Sequence, residues 1–275
     1  MNHIPSAVRH KLELSLVFLL SCLLFVSLPM QRGGIGLSWD TLNHHVYLGW
    51  VANSARFDKD YFAAASQSYQ FPYLYWPIYM MAKWRFAGWQ AGMVWASLHA
   101  LISIPLWSIC RSLIQESTWR ATLFRVSGVL LGLSSILIIR APETTANDGL
   151  AALPYLCALA VAANGIPMGI GVAPDVWRRA VMVGLLGGVS VALKLSNGPL
   201  VPLLPLLCAA FLPGWASRLA LIVVCGMAIV VGFWLVYGWW GWQLWQQFGN
   251  PVFPFADGLF EPLRQMFWHS PEVVR

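Results

Sequence analysis

An aspartate and a histidine lie one helical turn apart soon after the first apolar run of this chain. If residues 38–50 form a helix, Asp40 and His44 share one face with Tyr47. A carboxylate and an imidazole so placed can exchange a proton with one ligand or hold one ion. A helix floating at a membrane interface explains the pattern equally well, because the opposite face carries the apolar residues Trp39, Leu42, Val46 and Trp50. His45 points away from the Asp40 face and is interpreted as structural.

Further charges occur between two later apolar runs, where Arg140, Glu143 and Asp148 lie close together. Three charged groups in a tight loop between membrane segments are costly and are typical of functional or paired residues. The simple alternatives are an ion pair between Arg140 and Glu143 and a helix cap formed by Asp148. With Asp40 and His44, the acidic residues of this loop are candidates for positioning an acceptor or an ion.

Two cations could neutralise a phosphate. Lys194 follows an apolar run and is not explained by helix capping, and Arg85 has the planar geometry that matches a phosphate. Contact of Arg85 with lipid headgroups is an equal alternative. Arg85 lies in a segment rich in rings, residues 69–89, which could stack on sugars but more commonly anchor a protein at the membrane interface.

Composition places the chain in a membrane. Its 275 residues are 58% hydrophobic and 10% charged, whereas a soluble domain has about a quarter charged residues. The net charge of +6 comes from basic residues that occur singly, so no nucleic-acid partner is expected. The sequence has no P-loop, GxSxG, HExxH or CxxC motif, which argues against ATP hydrolysis, serine hydrolysis and zincin chemistry.

Apolar runs predict an all-α, polytopic bundle of about seven spans in one transmembrane domain, residues 1–275. A span needs about 20 apolar residues. Three runs reach that length easily and four are shorter, with Arg125 and Arg140 snorkelling to extend one of them. The runs are 12–30, 91–110, 126–139, 149–163, 180–193, 199–213 and 219–237.

Basic residues predict the orientation of the spans. Arg9, Arg111, Arg178 and Arg218 fall in segments that share one side under strict alternation, so the N-terminus is predicted to be cytoplasmic in the cell membrane. Segment 31–90, with interfacial helices, and the tail 239–275 are then extracytoplasmic. A span at 61–82 would invert everything after it, although its prolines and polar residues argue against this.

The order of these features resembles the GT-C glycosyltransferases, multi-span enzymes that use polyprenyl-phosphate sugars and include the protein O-mannosyltransferases and the aminoarabinose transferases. The resemblance rests on Asp40 after the first span, on Asn147-Asp148-Gly149, on Lys194 after a glycine-rich span and on Gly249-Asn250-Pro251-Val-Phe-Pro-Phe255. The family usually has eleven or more spans, so a truncated member is expected. The first loop offers only Asp58-Lys59-Asp60 as an acidic pair, and a divalent metal ion is left open as a cofactor.

This resemblance implies transfer of a sugar from a lipid-linked donor to an acceptor hydroxyl at the extracytoplasmic face. Asp40 would be the general base, and Lys194 with Arg140 or Arg85 would neutralise the departing phosphate. His44, Asp148 and Glu143 would position the acceptor or an ion, while Tyr47 and Asn250 would shape the pocket. Two other classes stay open: a membrane transporter or flippase, and a non-catalytic remnant of a longer enzyme.

Overall fold

Helices account for most of the molecule. The structure, a computed structural model, describes residues 6–60, 63–164, 175–210 and 212–267. Three predicted segments extend outside this part: the first loop at residues 61 and 62, the sixth span at residue 211, and the tail at residues 268–275. The all-α class is confirmed, with one four-residue extended segment, Ala63–Ser66. The α-helices are α1 (Ser6–Gln31), α2 (Val46–Val51), α3 (Trp76–Lys83), α4 (Gly88–His99), α5 (Ser103–Leu113), α6 (Trp119–Leu133), α7 (Ile136–Arg140), α8 (Asp148–Ala163), α9 (Val176–Leu193), α10 (Leu203–Ala209), α11 (Trp215–Phe248) and α12 (Asp257–Phe267).

Four helices in the described part are long and apolar enough to cross a membrane: Val8–Gln31, Gly88–Leu113, Val176–Leu193 and Trp215–Phe248. A fifth would be counted if α6 and the following Ile136–Glu143 helix, bent by 69°, form one span. The predicted seven spans are therefore not confirmed. The helix Asp148–Ala163 shows the reason, because its 16 residues extend only about 24 Å against a hydrocarbon core of about 30 Å.

The helices run alternately between two ends of the bundle. We call the end at which α1 finishes the upper end and the end at which α1 begins the lower end. At the upper end, Ile35 N donates to Gly88 O over 3.0 Å, which joins the end of α1 to the start of α4. At the lower end, Arg111 Nη2 lies 2.9 Å from His10 Nδ1, so α5 returns to the start of α1. In the described part of 61–82 the only α-helix is the start of the eight-residue α3, which is too short to be a span.

Helices α9 and α11 run parallel and touch backbone to backbone. A Cβ added at Gly188 would overlap the Ile229 carbonyl and the Phe233 nitrogen, and one at Gly184 would overlap Cys225 and Ala228. Small residues allow this close approach between helices in membrane proteins. The start of α9 lies at the lower end, because Arg179 of its first turn donates to Asn164 O and Asn164 donates to Ser108 of α5. The last residue of α9 and Lys194 therefore reach the upper end, as does Phe248 of the parallel α11.

A buried ion pair joins three helices near the lower end. Arg125 of α6 donates to both carboxylate oxygens of Glu13 of α1, over 2.6 and 2.8 Å, and the side chains are 0% and 4% exposed. Trp107 Nε1 of α5 donates to Glu13 as well, over 3.0 Å. The expected snorkelling of Arg125 is wrong, because its guanidinium finds a carboxylate and the carbonyls of Ile114 and Glu116 inside the bundle.

Candidate functional site

The first loop forms a π-helix, Thr41–His45, that leads directly into α2. Asp40 precedes it and His44 lies within it, with 3.8 Å between His44 Nδ1 and Asp40 Oδ1. The Asp40 side chain is 53% exposed and that of His44 is 5% exposed. The predicted pairing of these two residues is therefore present, with the carboxylate facing solvent and the imidazole beneath it. Single π-turns are frequent at functional sites.

Thr145, from the loop before α8, fixes this π-helix from the side. Its hydroxyl lies 2.6 Å from Thr41 Oγ1 and 2.6 Å from His45 Nδ1. The His45 ring is stacked on Tyr75 with 4.7 Å between ring centroids. These contacts hold His45 inside the protein, in keeping with its structural interpretation, and place the Asp40 loop against the loop that carries Asp148.

Asp148 and Lys194 form an ion pair at the upper end. Asp148 is the first residue of α8 and Lys194 directly follows α9, so the two helix ends meet there. The Asp148 side chain is 71% exposed and that of Lys194 is 29% exposed. Two of the four features that carried the resemblance are thus in direct contact.

Tyr75 connects the pairs Asp40–His44 and Asp148–Lys194, because its ring lies 6.2 Å from that of His44 and lines the same cavity as Lys194. Burial, helped by the positive charge of Lys194, lowers the pKa of His44, while Asp40 acts in the opposite direction. Burial also lowers the pKa of His45 to about 3, with His44 and Lys194 contributing. Burial raises the pKa of Tyr75 to about 12, and the negative charges of Asp148 and Asp40 add to this. The buried rings of His44, His45 and Tyr75 are therefore neutral near pH 7.

A small cavity opens beside Lys194. Its volume is about 140 Å³, and its walls include Gln70, Phe71, Tyr75, Leu193, Lys194, Leu195, Ser196 and Phe255. This space corresponds to roughly four or five water molecules of liquid. Ligand pockets usually measure 300–1,000 Å³, so a sugar would require the cavity to widen.

Asn250 acts on this cavity indirectly. It is fully buried, and its Nδ2 donates to Phe255 O over 2.9 Å and to Asp257 Oδ1 over 3.2 Å. Its own Oδ1 accepts from Val252 N over 2.9 Å. These bonds fold the segment after α11 into a turn that carries Phe255 to the cavity, so Asn250 shapes the wall without lining it.

Two other predicted site residues, Glu143 and Tyr47, make contacts away from the cluster. Glu143 is paired with Arg32, over 2.9 Å, rather than with Arg140, and its carbonyl accepts from Gly36 N over 2.7 Å. Tyr47 donates to Asp60 Oδ2 over 3.4 Å, which turns it away from Asp40. Burial, followed by the negative charge of Asp60, raises the pKa of Tyr47 to about 12.

Arg140 and Arg85 are exposed and do not line the cavity. Arg85 occupies the turn between α3 and α4 with a left-handed backbone, φ 59°. Within the described ranges neither arginine has an ion-pair partner. The structure therefore brings Asp40, His44, Asp148 and Lys194 together and leaves both arginines outside.

Sequence reasoning did not select Thr145 or Tyr75 as site residues, and it named Phe255 only as the end of the segment that begins at Gly249. Thr145 is one of several small polar residues in its loop, and nothing in its spacing marks its role. Tyr75 belongs to the ring-rich segment, which predicted interface anchoring. The described residues contain no group of three or more His, Cys, Asp or Glu side chains that could hold a metal ion.

The fold and the cluster define a helical bundle of membrane-protein type that carries Asp40, His44, Asp148 and Lys194 at its upper end. No protein-family model, characterised protein or solved structure matches the chain. The case for a function rests on the geometry of this cluster.

Proposed function

We propose that the protein is an integral membrane glycosyltransferase of the GT-C type, which moves a sugar from a polyprenyl-phosphate donor to an acceptor hydroxyl. The observation that carries the proposal is the meeting of Asp40, His44, Asp148 and Lys194 at one end of the bundle, beside a cavity that Lys194 lines. These residues come from three separate loops, and a bundle held together for packing alone does not require them to converge. The upper end would then be the extracytoplasmic side.

In the proposed reaction, the Asp40 carboxylate accepts the proton of the acceptor hydroxyl. The hydroxyl oxygen attacks the anomeric carbon, and the bond from that carbon to the phosphate oxygen breaks. The electron pair leaves with the polyprenyl phosphate, and Lys194 stabilises the negative charge that develops there. Asp40 releases its proton to solvent, which its exposure permits.

His44 and Asp148 orient the participants. His44 Nδ1 is buried without a hydrogen-bond partner among the described residues and lies beside Asp40, where it can bind the acceptor hydroxyl. Asp148 holds the Lys194 ammonium at the cavity before a donor arrives. Glu143 binds the start of the first loop through Arg32 and Gly36 and is not required to touch a substrate.

The test is sugar transfer in proteoliposomes. The donors are radiolabelled polyprenyl-phosphate mannose and polyprenyl-phosphate aminoarabinose, and an envelope extract of the native host supplies acceptors. Asp40→Asn should lower the rate by about 10²–10⁴-fold. Asp58→Asn, which changes an exposed carboxylate of the same loop, should leave it unchanged.

Full transfer by Asp40→Asn would remove this residue from the mechanism. Release of sugar from neither donor by the wild-type protein would contradict glycosyl transfer from these carriers. Movement of intact donor across the bilayer without transfer would favour a flippase, and neither transfer nor movement would favour a non-catalytic remnant.

A further inference from the structure

A second, larger recess lies at the lower end of the bundle, far along α8 and α9 from the Asp148–Lys194 pair. Its volume is about 320 Å³, and α5, α8 and α9 contribute to its walls. Ser108, Asn164, Arg178 and Arg179 form its polar rim. Val161 and Met182 form an apolar wall deeper along the helices. We call this recess the basic groove.

The rim of the basic groove is organised by hydrogen bonds between helices. Asn164 Nδ2 donates to Ser108 Oγ over 2.9 Å and to Ala160 O over 2.7 Å, which ties α8 to α5. Arg179 Nη1 donates to Asn164 O over 2.8 Å, which ties α9 to α8. The Arg179 guanidinium is therefore held in place, with further N–H groups left to meet a ligand.

The charge of the basic groove favours an anion. Arg178 and Arg179 contribute two positive charges, and Asp175 contributes the opposing carboxylate. Neither arginine forms an ion pair with any residue in the described ranges. A guanidinium matches a phosphate with two parallel hydrogen bonds, so an oxyanion is the ligand chemistry that fits the rim.

The surroundings favour an anion that carries a hydrocarbon chain. Met182 and Val181 are exposed on α9 next to the groove, and Trp177, also exposed, lies one turn towards the lower end. Trp is enriched where a helix meets the headgroup layer. Basic pockets between helices on one side of a membrane are suited to anionic lipid headgroups.

We propose that the basic groove binds an anionic phospholipid, with its phosphate at Arg178 and Arg179 and an acyl chain against Val161 and Met182. This site is independent of the proposed glycosyl transfer, because it lies at the opposite end of the bundle and shares no residue with the Asp40 cluster. It would anchor the lower end of α9 to its own leaflet.

Native mass spectrometry of the purified full chain, titrated with phosphatidylglycerol or phosphatidylcholine, tests the proposal. The wild-type protein should retain phosphatidylglycerol in preference to phosphatidylcholine. Arg178→Gln with Arg179→Gln should lose at least about tenfold in affinity for phosphatidylglycerol. Lys11→Gln with Arg120→Gln removes the same charge from exposed residues at the lower end outside the groove, and should keep wild-type affinity.

Arg178→Gln alone is measured too, because Arg178 holds no other described residue by a hydrogen bond and its loss should leave the fold intact while weakening retention. Wild-type affinity in the double variant, or an equal loss in the Lys11 and Arg120 control, would overturn the proposal. Inorganic phosphate that binds as tightly as phosphatidylglycerol and displaces it would overturn the lipid assignment and leave a site for a free anion.

Discussion

Replacing Glu13 by Gln should destabilise the protein strongly. The change removes the carboxylate that accepts two hydrogen bonds from the fully buried Arg125 guanidinium, through Nε and Nη2. The same carboxylate also accepts from Trp107 Nε1 and Thr122 Oγ1. Breaking a buried pair by removing one partner typically costs 3–5 kcal/mol. Arg125 keeps its bonds to the carbonyls of Ile114 and Glu116. We therefore expect a loss near the lower limit, about 3 kcal/mol in the free energy of unfolding.

The assay is reversible unfolding in mixed micelles of increasing SDS content, followed by the fluorescence of the 16 tryptophans. Glu116→Gln, the same change at an exposed carboxylate that has no ion pair in the described part of the chain, is the control and should change the free energy of unfolding by less than about 0.5 kcal/mol. A double replacement of Glu13 and Arg125 by Leu should cost less than Glu13→Gln, because no charge stays buried without a partner. A loss below about 0.5 kcal/mol for Glu13→Gln would refute the reasoning, since it would mean that water reaches the guanidinium.

Three further predictions concern the first loop and the helix packing. Thr145→Val removes both hydroxyl contacts to the π-helix and should speed amide hydrogen exchange across residues 38–45. Thr145→Ser keeps the hydroxyl and should exchange like the wild type. Equal exchange in the wild type and both variants would contradict the role of Thr145 in fixing the π-helix. Gly188→Ala should lower the free energy of unfolding by about 1–3 kcal/mol, because the added Cβ overlaps the backbone of α11. Gly226→Ala, whose Cβ meets open space, is the control. Equal stabilities of the two variants would show that α9 and α11 are less tightly packed. Burial holds the pKa of His45 at about 3 and lowers that of His44 from 6.5, so the unfolded chain binds more protons below pH 6.5. Stability should therefore fall between pH 7.5 and 5 in thermal unfolding, less steeply in His45→Asn, and a flat profile would argue that the rings are solvated.

The helical class followed from the sequence because apolar runs of this density satisfy their backbone hydrogen bonds only as helices in a membrane. The predicted count of seven spans is not confirmed, because several apolar helices in the described part are short. The run 149–163 looked like a short span, and its helix has only 16 residues. The partner of Arg125 could not be identified from the sequence, because Glu13 lies far away in the chain. Only the packing of α1 with α5 and α6 brings the two residues together.

Part of the candidate site could also be predicted from the sequence. The i to i+4 spacing correctly paired Asp40 with His44, and the two charges of opposite sign at the ends of α8 and α9 were both selected. The helical-face argument placed Tyr47 with Asp40, but its hydroxyl bonds to Asp60. The π-helix at residues 41–45 changes the angle between successive residues and so moves Tyr47 off the Asp40 face, and no sequence pattern predicted it.

The glycine contacts between α9 and α11 make one side of the cavity beside Lys194 closely packed. Lys194 and the segment that carries Phe255 follow two helices whose backbones are in direct contact. Tyr75, on the facing wall of the cavity, belongs to a segment of short helices and turns. We therefore expect any widening of the cavity to come from movement of side chains on the Tyr75 wall rather than from separation of α9 and α11.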